Sequence, residues 1–160
     1  MAGSIKAQER AAVTLTSAGA SLTNGSAAAA GTDLDARAGG NAADDFQAQF
    51  ELTCQWASIT TAIGANTVVA ELYLVPKLDG TNLPDMDLTA GSSVLPPSTL
   101  RAFFTATKSP TAATNARYIT DTFPISPRLY TAHILNKSGA SNTISANWTL
   151  KAVSDQAQYT

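Results

Sequence analysis

The residues best suited to covalent or acid–base chemistry are scarce in this chain, which contains one cysteine, Cys54, and one histidine, His133. A serine or cysteine nucleophile is normally activated by a nearby base, most often histidine, so either arrangement would depend on His133. The sequence places His133 in the middle of an alternating, extended segment and Cys54 on the apolar side of another. We therefore expect both side chains to be structural, and we predict that the protein is not an enzyme.

A metal or cofactor site is equally hard to assemble from this sequence. One cysteine and one histidine cannot complete a tetrahedral zinc site, and the sequence lacks the glycine-rich phosphate-binding motifs. A loop with Asp79, Asn82, Asp85 and Asp87 gathers the oxygen ligands that calcium prefers, but its spacing does not match an EF-hand. We expect a solvated acidic loop there, and we predict no metal and no cofactor.

The elements that carry these residues show the two-residue period of β-strands. From Phe46 to Trp56, apolar residues alternate with Gln, Glu and Thr, which is typical of a strand with one wet face. Apolar residues do not recur at helical spacing. Further extended segments are predicted at residues 67–75, 100–105, 117–123, 129–136 and 143–152. These strands and the loops between them predict an all-β fold, an antiparallel β-sandwich of jelly-roll or Greek-key type.

The first 45 residues differ in composition from the rest. Residues 17–43 are almost entirely small or polar, with too little apolar bulk for a core of their own. Weak alternation over residues 11–16 predicts one short strand. We therefore predict an extended N-terminal arm at residues 1–45 and a β-sandwich domain at residues 46–160. The arm would lie against another surface, and a disordered tail without a role is the alternative.

The composition of the chain argues against two classes of partner, nucleic acids and membranes. Asp, Glu, Lys and Arg make up 14% of the chain, against about 25% in ordinary soluble domains. Ten basic and twelve acidic residues, without a basic run, predict no nucleic-acid binding. No apolar run approaches the ~20 residues that cross a bilayer, so no membrane partner is expected. A low-charge surface is typical of proteins whose exterior packs against other protein.

Aromatic and apolar side chains supply the candidate contacts. Trp56 and Trp148 belong to the apolar sets of their strands, so we expect both in the core. Aromatic residues on the opposite faces of their strands are better candidates for an exposed or interfacial contact. The predicted partner-binding residues are Tyr73 and Phe103 on the strands and Val13, Leu15 and Leu22 on the arm.

Two stretches carry a family resemblance. Residues 71–82 read ELYLVPKLDGTN, and residues 123–127 read FPISP before a strand that ends in LNKSG. They resemble small structural proteins of tailed-bacteriophage virions, which often combine an LYL strand and DGTN turn with a later proline bend and an asparagine–glycine hairpin. At Ser126-Pro127-Arg128 related chains commonly carry Pro-Pro-Gly, so the chain departs from them at that bend.

The resemblance implies a β-sandwich component of a phage particle. It favours a capsid decoration (cement) protein that binds and stabilises the lattice of the major capsid protein. It also implies a homo-oligomer, with a trimer favoured, and a position on the capsid surface after synthesis in the host cytoplasm. The lone cysteine and the absence of a hydrophobic leader after Met1 agree with that compartment. The alternative function is a tail or head-fibre sandwich that binds a host-surface glycan.

Overall fold

The computed structural model describes residues 5–16, 19–37, 45–77 and 97–159. In these ranges the chain forms β-strands and one 3-10 turn at Pro97–Thr99, and no α-helix. The strands are β1 (Ile5–Glu9), β2 (Val13–Thr16), β3 (Leu22–Thr23), β4 (Ala27–Ala29), β5 (Leu34–Asp35), β6 (Asp45–Ser58), β7 (Val68–Pro76), β8 (Leu100–Thr105), β9 (Asn115–Ile119), β10 (Phe123–Pro124), β11 (Leu129–Asn136), β12 (Thr143–Ile144) and β13 (Thr149–Tyr159).

The strands form two antiparallel sheets, which confirms the predicted all-β sandwich. The first sheet is built on β6 and β13, which pair from Thr149 opposite Thr53 to Ser154 opposite Ala48. Strands β9 and β10 also pair with β6. In the second sheet, β7 lies between β8 and β11. The jelly-roll or Greek-key form of the connections stays a prediction.

The predicted arm supplies an edge to both sheets. Strands β1, β2 and β3 pair one after another along β13 and β12, with Leu15 opposite Leu150 and Leu22 opposite Ile144. Strands β4 and β5 then pair with β11 in the other sheet. The arm is thus a series of short extended segments along the sandwich of its own chain. Its separation from residues 46–160 as a domain stays a prediction.

The core lies between the sheets and contains both tryptophans, as their alternation predicts. Trp56 and Trp148 are buried, and each indole N–H finds an acceptor inside the protein. Nε1 of Trp56 donates to the Tyr118 hydroxyl at 3.1 Å, and Nε1 of Trp148 donates to the carbonyl of Ala20 at 3.3 Å. The second bond joins the centre of the core to the arm.

Phe46 is the exception to the alternation of β6. It is 39% exposed, whereas Asp45 is buried. The cause is an irregularity in the β6–β13 pairing. Gln156 lies opposite Asp45 and Asp155 lies opposite Gln47, so no residue of β13 lies opposite Phe46. An extra residue of this kind reverses the faces on which the following side chains lie.

Candidate functional site

The five predicted partner-binding residues separate into exposed and buried sets. Phe103 is 49% exposed and Val13 is 39% exposed. Leu15 and Leu22 are 0% and 1% exposed, and both belong to the core between the sheets. In this conformation their side chains contact their own chain. Val13 and Phe103 are therefore the members of the predicted set that a partner can reach without displacing the arm.

Tyr73 lies on the outward side of the second sheet, where it is almost buried. Its ring packs with Leu135, and Ala27 and Leu100 border the pair. The Tyr73 hydroxyl donates to Oε2 of Glu71 at 2.7 Å. Burial, together with this carboxylate, raises the pKa of Tyr73 above its usual range. The hydroxyl is thus held as a donor to Glu71.

Buried asparagines hold the point at which the arm crosses from one sheet to the other. Nδ2 of Asn136 donates to the carbonyls of Leu22, at 2.8 Å, and Asn142, at 3.0 Å. Its Oδ1 accepts from the backbone N–H of Ser138 at 2.9 Å and from the Ser138 hydroxyl at 2.6 Å. In addition, the backbone carbonyl of Asn136 accepts a hydrogen bond from the N–H of Gly25, and its backbone N–H donates to the carbonyl of Ser26.

The side chain of Asn142, six residues later, is hydrogen-bonded through both of its amide atoms in the same way. Its Oδ1 accepts from the backbone N–H groups of Thr60 and Thr61, at 2.8 and 2.9 Å. Its Nδ2 donates to the carbonyls of Thr61, at 2.9 Å, and Ser138, at 2.8 Å. We call Asn136 and Asn142 the asparagine clamp. An amide side chain has two donor hydrogens and one acceptor oxygen with two lone pairs, so both amides are fully satisfied.

Ion pairs hold the arm at two further points. Arg10, just after β1, donates to both carboxylate oxygens of the buried Asp45, at 2.9 and 3.1 Å. Asp33, just before β5, lies 2.5 Å from Nζ of Lys77 at the end of β7. The arm is therefore held at both sheets by side chains as well as by strand pairing.

The edge of the sandwich opposite the arm strands is formed by β8 and β9. Strands β8 and β9, which we call the β8–β9 flank, contact each other across the two sheets. Each pairs with one neighbour, β7 or β6, and no other described strand pairs with its outer edge. Phe103, 49% exposed, lies opposite Glu71 on the outer face of the second sheet, and Ile119, 56% exposed, lies opposite Glu51 on the outer face of the first. The flank therefore combines unpaired main chain with apolar side chains.

A groove of about 550 Å³ lies at the connection between β8 and β9. Residues 107–111 and 114–118 line it. The cations among them are Lys108 and Arg117, and Arg117 is paired with Glu51 of β6. The hydrogen bond from Arg117 lowers the pKa of Glu51, so that carboxyl stays ionised at neutral pH.

Cys54 and His133 lie on different sheets. Burial raises the pKa of Cys54 to about 12, so its thiol is protonated at neutral pH. Burial also lowers the pKa of His133 to about 4, and the Nε2 atom of this side chain has no hydrogen-bond partner among the described residues. At neutral pH both groups are uncharged and enclosed. The loop with Asp79, Asn82, Asp85 and Asp87 lies outside the described residues.

Comparison with models of protein families and with curated proteins finds no match to this chain. Within the described ranges, no group of three or more His, Cys, Asp and Glu side chains is placed to hold a metal ion. The part of the chain that the structure describes contains no helix long and apolar enough to cross a membrane. A functional proposal therefore rests on the surfaces of the sandwich and on the resemblance of its motifs.

Proposed function

We propose that this chain is a structural protein of a tailed-bacteriophage virion, a non-enzymatic decoration protein that binds the lattice of the major capsid protein. The resemblance of residues 71–82 and 123–139 supports this class of protein. The low charge content, 14% of all residues, agrees with a surface that packs against protein. The main structural support for the proposal comes from the unpaired strand edges and exposed apolar side chains of the β8–β9 flank.

The flank has two properties that a protein partner can use. An edge strand presents N–H and C=O groups that can pair with another chain, and natural proteins usually cover or blunt such edges. No described strand covers the outer edge of β8 or β9, and the arm strands at the other edge of each sheet also pair on one side only. Phe103 and Ile119 add exposed apolar surface to the flank. A capsid segment that pairs with β8 could bury Phe103, and one that pairs with β9 could bury Ile119.

Stabilisation would then follow from mass action. A protein that binds the assembled lattice, and not its disrupted form, stabilises the lattice in proportion to the occupancy of its sites. The resemblance favours a homotrimer as the bound form. The proposed location is accordingly the outer surface of the capsid.

Co-sedimentation with purified capsids tests this proposal. We expect Phe103→Thr and Ile119→Thr each to weaken binding about fivefold or more, because truncating a residue that carries much of the binding energy costs more than about 1 kcal/mol. Phe46→Thr is the matched control, since Phe46 is 39% exposed but lies at the start of β6, outside the flank. Wild-type protein that stays in the supernatant at saturating capsid concentration would refute the function itself.

The glycan-binding alternative predicts an exposed aromatic platform. Trp56 and Trp148 are 1% and 0% exposed, so neither indole can stack on a sugar. Phe103 is the one aromatic of the predicted contacts with a large exposed surface. The placement of the tryptophans favours the decoration protein over this alternative.

A further inference from the structure

The charged side chains that line the groove beside the β8–β9 flank are all basic. In the whole chain acidic residues outnumber basic ones, twelve to ten. The groove lining nevertheless contains Lys108 and Arg117 and neither Asp nor Glu. Lys108 is exposed, and no carboxylate pairs with it among the described residues. Because Arg117 is paired with Glu51, the positive charge of the lining that no described carboxylate neutralises is that of Lys108.

The rim of the groove is rich in hydrogen-bond donors. Exposed hydroxyls come from Thr107, Ser109 and Thr111, and Asn115 adds an exposed amide. An ionised carboxylate only accepts hydrogen bonds, whereas ammonium, hydroxyl and amide groups can all donate them. Hydrogen bonds between a cation and a carboxylate are roughly twice as strong as neutral ones. Hydroxyl and amide groups can also accept hydrogen bonds, so the preference of this rim for a carboxylate over a cation comes from the ammonium group of Lys108.

The loop that forms the rim is held in place before any ligand arrives. The backbone N–H of Ala113 donates to the carbonyl of Trp56 at 3.0 Å, although Ala113 has a φ of 61°, which costs a non-glycine residue energy. The Thr114 hydroxyl donates to the carbonyl of Thr111 at 2.7 Å. A preorganised loop loses less conformational entropy on binding.

We infer that this groove receives an acidic, extended segment of the protein partner, with a carboxylate placed beside Lys108. The inference rests on the proposed function and names the chemistry of the contact. Residues 115–118 belong both to the groove lining and to β9, whose outer edge no described strand covers. An extended segment on that edge brings alternate side chains into the groove. Protein is favoured over carbohydrate because open strand edges pair with peptide main chain.

Charge variants test the inference on capsids. We expect Lys108→Glu to weaken capsid binding about tenfold or more and to reduce its dependence on salt, because an attraction becomes a repulsion. Arg128→Glu is the matched control, since Arg128 is an exposed cation that precedes β11 and does not line the groove. We expect it to change the affinity less than twofold. If Lys108→Glu binds like wild type while Phe103→Thr and Ile119→Thr do not, the flank is used and the groove inference is wrong.

A peptide experiment tests the groove without capsids. NMR titration of the full chain with a short Asp- and Glu-containing peptide should shift amide signals of residues 107–118. The Lys108→Glu variant should lose these shifts, and the Gln and Asn version of the peptide should not produce them. Shifts located elsewhere would overturn the inference, as would shifts in the groove with an oligosaccharide and none with the acidic peptide. Neither result depends on whether the protein decorates capsids.

Discussion

Asn136 and Asn142 show how single side chains fix the path of the arm. Burying an unsatisfied amide is costly, but each of these two amides makes four hydrogen bonds. The bonds join the arm at Leu22, the hairpin at Ser138 and the loop at Thr61. The clamp therefore specifies one arrangement of three segments that are far apart in sequence.

Removing the first amide of the clamp should destabilise the fold strongly. Asn136→Ala leaves the buried carbonyls of Leu22 and Asn142 without their donor, so we expect a loss of about 3 kcal/mol in the free energy of unfolding. Urea denaturation measures this loss. Asn147→Ala is the control, because Asn147 is exposed and should lie within about 0.5 kcal/mol of wild type. Equal stability of the two variants would contradict the role of the clamp.

His133 should make the stability of the fold depend on pH. Its pKa falls from 6.5 to about 4 in the folded protein, so the unfolded chain binds a proton first as the pH drops. The contribution of the neutral imidazole to the free energy of unfolding is then fully present above pH 6.5, and it decreases as the pH falls towards 4. Between pH 8 and pH 5 we expect a loss of about 2 kcal/mol, measured by urea denaturation.

His133→Gln is the matched variant for this effect. It keeps a polar side chain at the same position and removes the titrating imidazole. We expect its stability to change little between pH 8 and pH 5, whatever its stability at pH 8. The depressed pKa values of Asp35 and Glu51 act only at more acidic pH. The same pH slope in wild type and variant would show that His133 is not the cause.

At the scale of elements, regular alternation was enough to locate the long strands. Residues 100–105 and 129–136 were predicted with the bounds that the structure has, and β6 and β7 differ by two residues or fewer at each end. Their apolar side chains are large, so a period of two is visible. Strands β6, β7 and β11 lie inside the sheets and β8 at an edge, and the alternation placed Trp56 and Phe103 correctly on inner and outer faces.

Weak alternation over residues 11–16 located β2, Val13–Thr16, but the other arm strands could not be located in this way. Strand β4 is Ala27–Ala29, and a run of alanines has no alternation to read. Its pairing with β11 depends on main-chain groups, which every sequence offers. The asparagine clamp was equally hidden, because the LNKSG stretch indicates a hairpin but not the distant carbonyls that its amide reaches.

Two predicted strands are divided in the structure. The segment 117–123 consists of β9 and β10, and Thr120 lies between them with its hydroxyl accepting from the Phe50 N–H at 3.0 Å. The segment 143–152 consists of β12 and β13, with a turn at Ala146 and Asn147. In the second case the apolar period continues across the interruption, so alternation alone does not reveal it, whereas in the first Asp121 and Thr122 interrupt the apolar period.

Variants of Leu15 and Val13 test whether the arm packs on its own sandwich. Leu15 and Val13 lie two residues apart in β2, and they are 0% and 39% exposed. We expect Leu15→Ala to lower the free energy of unfolding by about 2–5 kcal/mol, because it leaves a cavity in the core. Val13→Ala should cost less than about 1 kcal/mol. Similar small losses for both would mean that the arm is not packed on its own sandwich in solution.

At the scale of the whole molecule, the sandwich has two edges, one formed by the arm strands and the other by β8 and β9. The clamp and the ion pairs of Arg10 and Asp33 hold the arm at its edge. The β8–β9 flank is uncovered by any described strand. The proposed partner surface is the flank, which carries the predicted contact Phe103, and the contacts predicted on the arm stay predictions.

Cryo-EM of capsids incubated with the purified protein tests the central claim most directly. We expect density for the sandwich at repeated positions of the capsid lattice, with the β8–β9 flank against the capsid subunits and the arm in place along β12 and β13. Capsids that lack the protein serve as the reference map. Unchanged capsid density at saturating protein concentration would contradict the decoration function, and sandwiches attached through the arm side would contradict the role of the flank.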